Sequence, residues 1–185
     1  MVTAAVEVLR ERGAGGVTID AVLARSGAPR GSVYHHFPGG RAQLLTEALR
    51  FAGDAIGTII DSASARGYRG ALADFTDLWR TILRDSDFTA GCPVVAVAVG
   101  PADDDPELFA HAEALFARWH AALTGAFDAE GLAPAVSARL ATMSLAAIEG
   151  ATVLCRAQRS TAPLDQVAEQ LELLVESQLF LTKTR

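Results

Sequence analysis

Asparagine is absent from this chain, lysine occurs once, at Lys183, and cysteine and methionine occur twice each. Without asparagine there is no N-glycosylation sequon. Cys92 and Cys155 stand far apart, in neither CxxC nor Cys/His ligand spacing, so the pattern supports neither a disulfide framework nor a zinc site and makes a reducing cytoplasm the expected compartment. Inert, buried thiols are the favoured reading of both, ahead of oxidation sensing, because no basic neighbour pattern marks an activated sulfur. Long hydrophobic runs are missing too. The longest worth naming, Pro93 to Ala102, falls short of the about 20 residues a bilayer crossing takes, so no membrane span is expected. At the N-terminus, Met1-Val2-Thr3 meets Glu7 before an apolar run of signal-peptide type can form.

Catalytic signatures are equally scarce. There is no GxSxG, no HExxH and no glycine-rich phosphate loop ending in Lys-Ser/Thr. Adjacent helical residues such as His35 and His36 diverge by about 100°, and His111 and His120 would face opposite sides of one helix, so no metal set forms. Asp103-Asp104-Asp105 before Pro106 reads as an N-cap with charge that complements a helix dipole, since no calcium-loop glycine or bidentate glutamate follows. Neither a cofactor nor a metal is expected.

What is abundant is alanine, 36 residues of 185, with 15 arginines and a 50% hydrophobic content, which points to an all-α fold with a sizeable core. Net charge is -6, split unevenly: residues 1 to 50 carry a net +2 and the remainder a net -8. A mildly basic front on an acidic body fits a nucleic-acid-binding unit joined to a larger domain. Helical periodicity supports this division. Thr3 to Arg12 is a helix that Gly13-Ala14-Gly15-Gly16 ends; Thr18 caps a second helix through Ser26; Gly27-Ala28-Pro29 turns; a third helix runs from Arg30 to His36. Two short helices joined by a glycine-containing turn make a helix-turn-helix. A long helix opens at Arg41. Further helices follow at about Arg69 to Arg84, from Pro106 through Phe127, from Pro134 to Arg159 and from Pro163 through Leu179. Gly91 to Gly100, with alternating Val and Ala, is read as a short helix because no second strand is present to pair with it.

Thr18-Ile19-Asp20 together with Ser26 to Arg41, and above all Tyr34 and Phe37 followed by a basic residue opening the next helix, resembles the TetR family of transcriptional regulators. Gly91-Cys92-Pro93-Val94-Val95 looks like its LmrA-type branch. The resemblance implies a helix-turn-helix DNA-binding domain over residues 1–45 and a helical ligand-binding and dimerisation domain over 46–185. It implies backbone contacts from Tyr34, His36 and Arg41. Two departures stand out: Pro29 where the family often has serine, and no basic arm before the first helix.

The chemistry of the motif is consistent with this resemblance. Gly31 lets the helix backbone approach a major groove, where Arg30 can offer two donors to the O6 and N7 of guanine. Ser32 can donate or accept, and Ala28 can touch a thymine methyl. Thr18, Tyr34, His35, His36 and Arg41 are polar types suited to phosphates, although Tyr34 also reads as a core ring with its hydroxyl at the surface. Phe75, Trp79, Phe88, Phe109, Phe116, Trp119 and Met143, with His120 as a polar handle, are candidates to line an effector cavity or to fill ordinary core. The expected partners are a palindromic duplex operator, a small apolar or aromatic effector and a second copy of the chain. The dimer is expected through the last two helices, with Leu164, Val167, Leu171, Leu174 and Leu179 as one stripe and Ala138, Ala141, Leu145 and Thr152 as a small-residue surface. Gly53 and Gly57 are expected bend points in the long helix. The main alternative is a helical small-molecule-binding or enzymatic module without DNA binding.

Overall fold

The computed structural model describes residues 1–100 and 105–184, with the side chains of all of these except 63–65. Every regular element among them is a helix: α1 Val2–Gly16, α2 Ile19–Ser26, α3 Arg30–His36, α4 Gly40–Asp61, α5 Ala63–Asp85, α6 Pro93–Ala98, α7 Pro106–Ala129, α8 Pro134–Gln158 and α9 Ala162–Lys183. The boundaries have local causes. Gly13 (φ 72°) breaks α1 near its end, as Gly67 (φ 72°) breaks α5 near its start, both in backbone regions that side chains avoid. Thr18 caps α2, its Oγ1 accepting from the Ala21 N–H at 3.1 Å. Asp105 caps α7, its Oδ1 accepting from the Leu108 N–H at 3.0 Å, while Asp103 and Asp104 lie outside the described residues. The Val/Ala segment is helical, with Pro93 in its first turn, where a missing N–H costs nothing.

The chain divides into two compact units. The first holds Met1–Ala55 with Ala90–Leu115. Its core is made by Val8, Leu9, Val22, Val33, Leu44, Leu45 and Leu49, all essentially inaccessible. Burying each such side chain contributes about 1.5–3 kcal/mol. α6 lies against α1, and the Gly91 N–H donates to the Arg10 carbonyl at 3.0 Å. Arg25 joins α2 to α1 by a two-pronged pair with Glu11, at 2.7 Å for both oxygens, which holds the Glu11 carboxyl below its usual range.

The second unit holds Ile56–Thr89 with Phe116–Arg185. α8 packs along α9, and α5 packs against both. Trp79, Leu83, Trp119 and Leu164 are buried, and Tyr68, Phe127, Leu132, Leu140, Ala141 and Val175 form one apolar cluster. Arg80 ties α5 to α9 through Asp165, Nε to Oδ1 at 2.7 Å. At the far end of α8, Arg159 closes the helix in a left-handed conformation and pairs with Asp87 at 2.6 Å.

Two expectations are corrected by this packing. Leu164, Leu171, Ala141 and Thr152 do not face a partner. They are buried in their own chain, because the i, i+3/i+4 stripes of α8 and α9 are consumed by packing within the unit. Gly53 and Gly57 are not bends: α4 runs as one helix through both, and each admits a close neighbour instead. A Cβ on Gly53 would sit 2.5 Å from the Leu115 side chain, and one on Gly57 3.0 Å from the Arg118 guanidinium, which pairs with Asp61.

Candidate functional site

Gly27 makes the turn between α2 and α3. Its φ of 67° is left-handed, and its N–H closes α2 on the Leu23 carbonyl. Val33 faces inward and is inaccessible, anchoring α3 on the core. The rest of α3 is presented outward. Arg30, Gly31, Tyr34, His35 and His36 are exposed, Tyr34 to 61%, which settles its ring as a surface group. A Cβ on Gly31 would meet nothing within 4 Å, so the chain's own packing does not call for glycine there.

The candidate DNA contacts differ in how they are held. Arg30 reaches back to α2, its Nη2 2.9 Å from Asp20 Oδ1. Ser32 donates to the Pro29 carbonyl at 2.7 Å, so its hydroxyl has only acceptor capacity left over, and α3 starts without a side-chain cap. Ala28 is half-buried beside Ser26, whose Oγ accepts its N–H. Thr18 accepts the Ala21 N–H as the α2 cap, which leaves its O–H donor for an outside acceptor. Arg41 donates through Nε to the Val17 carbonyl at 2.6 Å and through Nη2 to the Ala14 carbonyl at 2.7 Å, closing the glycine-rich end of α1. The sequence pattern shows Arg41 only as an anion binder. Its structural role depends on carbonyls that become available where Gly13 breaks the helix.

In the second unit a cavity of about 60 Å³ opens among α5, α7, α8 and α9. Its wall is almost wholly apolar, with Phe75, Leu123, Phe127, Leu145 and Ile148 as the larger groups and Tyr68, Ser144 and Glu149 as the polar ones. Of the eight side chains read from the sequence as cavity candidates, Phe75 is on this wall. Trp79 sits behind it with its ring edge-on to Phe75, 6.3 Å between centroids. Phe116 and Trp119 form a similar pair at 5.5 Å, away from the wall. His120 Nε2 lies 3.0 Å from the Ala138 carbonyl oxygen. Phe88 lies in the turn after α5 beneath the Arg159 guanidinium, Phe109 belongs to the first unit, and Met143 is 52% exposed. Tyr68 is missed by the sequence because the Gly67 break hides the first turn of α5. Leu145 and its neighbours are missed because α8 reads as a dimer surface.

Among the described residues no group of three or more His, Cys, Asp or Glu side chains could hold a metal ion. Burial pushes the Cys155 thiol up, away from the thiolate that oxidation chemistry requires.

A three-helix head with an exposed recognition helix, followed by a helical unit, defines a helix-turn-helix transcriptional regulator rather than an enzyme. Residues 2–48 match the bacterial regulatory proteins of the tetR family, and residues 69–170 match the C-terminal domain of LmrA/YxaF-like transcriptional regulators. The chain belongs to the TetR family, in its LmrA-type branch. It is 41% identical over 184 residues to an uncharacterized HTH-type transcriptional regulator of Mycobacterium tuberculosis strain H37Rv, covering 97% of this chain and 94% of the relative. It is 26% identical over 159 residues to the uncharacterized HTH-type transcriptional regulator YxaF of Bacillus subtilis, covering 85% and 83%. The fold is that of a TetR transcriptional regulator from Legionella pneumophila, with a TM-score of 0.82 over 94% of both chains at 17% identity. Regulators of this family bind operator DNA and dimerise.

Proposed function

We propose that the chain is a cytoplasmic homodimeric repressor, the role typical of its family, that grips a palindromic operator through α3 and is released by a small apolar or aromatic effector held in the second unit. The observation that carries the DNA reading is the outward face of α3: an exposed two-pronged donor at Arg30, open space at Gly31 and three exposed rings at Tyr34, His35 and His36. Arg30 reads a base, Ser32 and Ala28 lie at the same groove edge, and Thr18, Tyr34, His35, His36 and Arg41 hold the phosphates. The domain division at 45/46 assigns the head to DNA and the remainder to effector and partner.

Two copies meet, on this reading, through α8 and α9. By length and composition alone α8 is apolar enough to cross a bilayer, yet its own chain buries only part of it. The exposed part has an order: Met143, Ala146, Gly150, Val153 and Ala157 recur at alternating steps of three and four, the spacing of a helix-packing seam, and Leu154 is exposed beside them, about three turns along from Met143. On α9, Leu173, Ser177 and Phe180 repeat it. Leu173 and Phe180 are 52% and 67% exposed. Together they suit a four-helix bundle across a two-fold axis. The cavity supports the effector reading by its wall: Phe75 is joined there by Tyr68, Phe127 and Leu145. At about 60 Å³ it must widen to admit a drug-sized molecule. An effector that releases the operator must bind better to the state in which the recognition helices are wrongly spaced. Linkage then requires operator DNA to weaken effector binding by the same factor.

Arginine substitutions test the division of labour on DNA. Arg30→Ala should cost about 1–3 kcal/mol per half-site and relax preference at one operator position. Arg41→Ala should weaken every sequence alike and flatten the salt slope by about one unit per lost phosphate contact. It should also lower the stability of the head, since two carbonyls at the end of α1 lose a charged donor. Titrations on specific and random duplexes across salt separate the two behaviours, and equal losses on both duplexes for Arg30→Ala would remove it as a base reader.

A further inference from the structure

Asp20 is an acid on the face offered to a polyanion. It lies in the first turn of α2, two residues after the Thr18 cap, and its side chain is 73% exposed. Two ordinary explanations cover it poorly. A carboxylate in a first helical turn contributes a few tenths of a kcal/mol to about 1 kcal/mol through the helix dipole, which any first-turn position of α2 would supply. An exposed ion pair contributes about 0–1 kcal/mol to folding. Against these stands a cost on DNA, because a negative charge beside phosphates weakens binding to every sequence.

The position of Asp20 has a specific consequence for Arg30. The two side chains meet across the α2–α3 turn, Nη2 to Oδ1 at 2.9 Å, and Arg30 is itself 70% exposed. Arg30 opens α3 behind Pro29, and Ser32 turns its hydroxyl inward to the Pro29 carbonyl. No other ion pair is made by Arg30 among the described residues. A guanidinium carries five N–H donors, so an ion pair with a carboxylate at one Nη leaves a two-donor edge for the O6 and N7 of guanine. An unheld arginine gives up about 2 kcal/mol of rotamer entropy when it is fixed, and it can satisfy itself on a neighbouring phosphate instead. Held by Asp20, it has less entropy to lose, and the carboxylate makes the phosphate alternative unfavourable.

We propose that Asp20 is a positioning residue for base selection: its carboxylate fixes the Arg30 guanidinium for guanine and discourages its use on the DNA backbone. The inference rests on the reading of Arg30 as a base reader given above. In effect Asp20 exchanges general affinity for selectivity.

The test uses the full chain and a pool of duplexes randomised in sequence, from which bound molecules are selected and sequenced for wild type, Asp20→Ala, Asp20→Asn, Arg30→Ala and the Asp20→Ala/Arg30→Ala pair. Asp20→Ala should lower the preference for guanine at the position that Arg30→Ala relaxes by about fivefold or more, while binding to a fixed non-specific duplex becomes tighter. Asp20→Asn, which keeps the shape and the turn, should shift both quantities in the same direction and serves if the alanine variant folds poorly. In the Arg30→Ala background, Asp20→Ala should leave base preference unchanged. If Arg30→Ala relaxes one position but neither Asp20 variant does, the positioning role is overturned and the base-reading role stands. If Arg30→Ala leaves all preferences intact, both are overturned. Tightening by the same factor on all sequences, with selectivity unchanged, would show Asp20 to be a repelling charge and nothing more.

Discussion

Leu154→Glu combined with Phe180→Glu should leave each chain folded, convert the dimer to monomer and abolish high-affinity operator binding. Both side chains are substantially exposed in the single chain, at 49% and 67%, so charge there costs the protomer little. In a bundle of α8 and α9 with their symmetry mates, each glutamate would lie near its own copy in a water-poor seam, and four such charges would oppose association. Loss of the dimer separates the two half-site contacts into independent events. Operator affinity should then fall by about 10²–10⁴, the gain that linked binding confers. Sedimentation velocity at micromolar concentration gives the oligomeric state, and circular dichroism checks the fold. Dimers persisting in this variant would place the interface on other helices. Leu171→Glu should behave differently: Leu171 is buried in its own chain and borders the cavity, so charge there should unfold the second unit.

Trp79→Ala should be the most destabilising single truncation in the second unit, by about 3–5 kcal/mol. Trp79 is fully inaccessible and packs edge-on against Phe75. For a chain of this length each kcal/mol corresponds to about 2–4 °C, so thermal unfolding should move down by roughly 6–20 °C. The indole N–H has no hydrogen-bond partner in the described structure, so Trp79→Phe, which removes it but keeps most of the apolar bulk, should cost much less. Phe75→Ala, on the cavity wall and half-buried, should keep the fold at a smaller cost and weaken the effector response while sparing operator affinity. A thermal-shift screen against small aromatic molecules identifies an effector to use. A response undiminished in Phe75→Ala would move the effector elsewhere. A small stability loss in Trp79→Ala would contradict its place in the core.

The head was legible because its signals are local. Thr18 as a cap, Gly27-Ala28-Pro29 as a turn and Pro29 before α3 each act within a few residues, and the observed α2 and α3 begin and end where those residues dictate. Pro106 and Pro134 marked the starts of α7 and α8 in the same way. What could not be read locally was the direction in which each apolar stripe points. α8 carries apolar residues on more than one side, and α9 likewise, so periodicity alone could not separate Leu171, which packs inward, from Leu173, which does not. The cavity wall shows the same limit: Phe75, Tyr68, Phe127 and Leu145 come from three helices, and nothing in the spacing of any one helix indicates the others. The structural share of Arg41's role was hidden for a related reason, since its carbonyl partners, Ala14 and Val17, lie at the end of α1, far back in the sequence.

The central claim, a dimer that reads a symmetric duplex through α3, is tested most directly by selecting duplexes from a random pool with the wild-type chain. The expected result is an inverted repeat with half-site centres about 34–36 Å apart or at a longer in-phase spacing, lost together with dimerisation in the Leu154→Glu/Phe180→Glu variant. Recovery of no common sequence, or of an asymmetric one bound equally well by that variant, would contradict it.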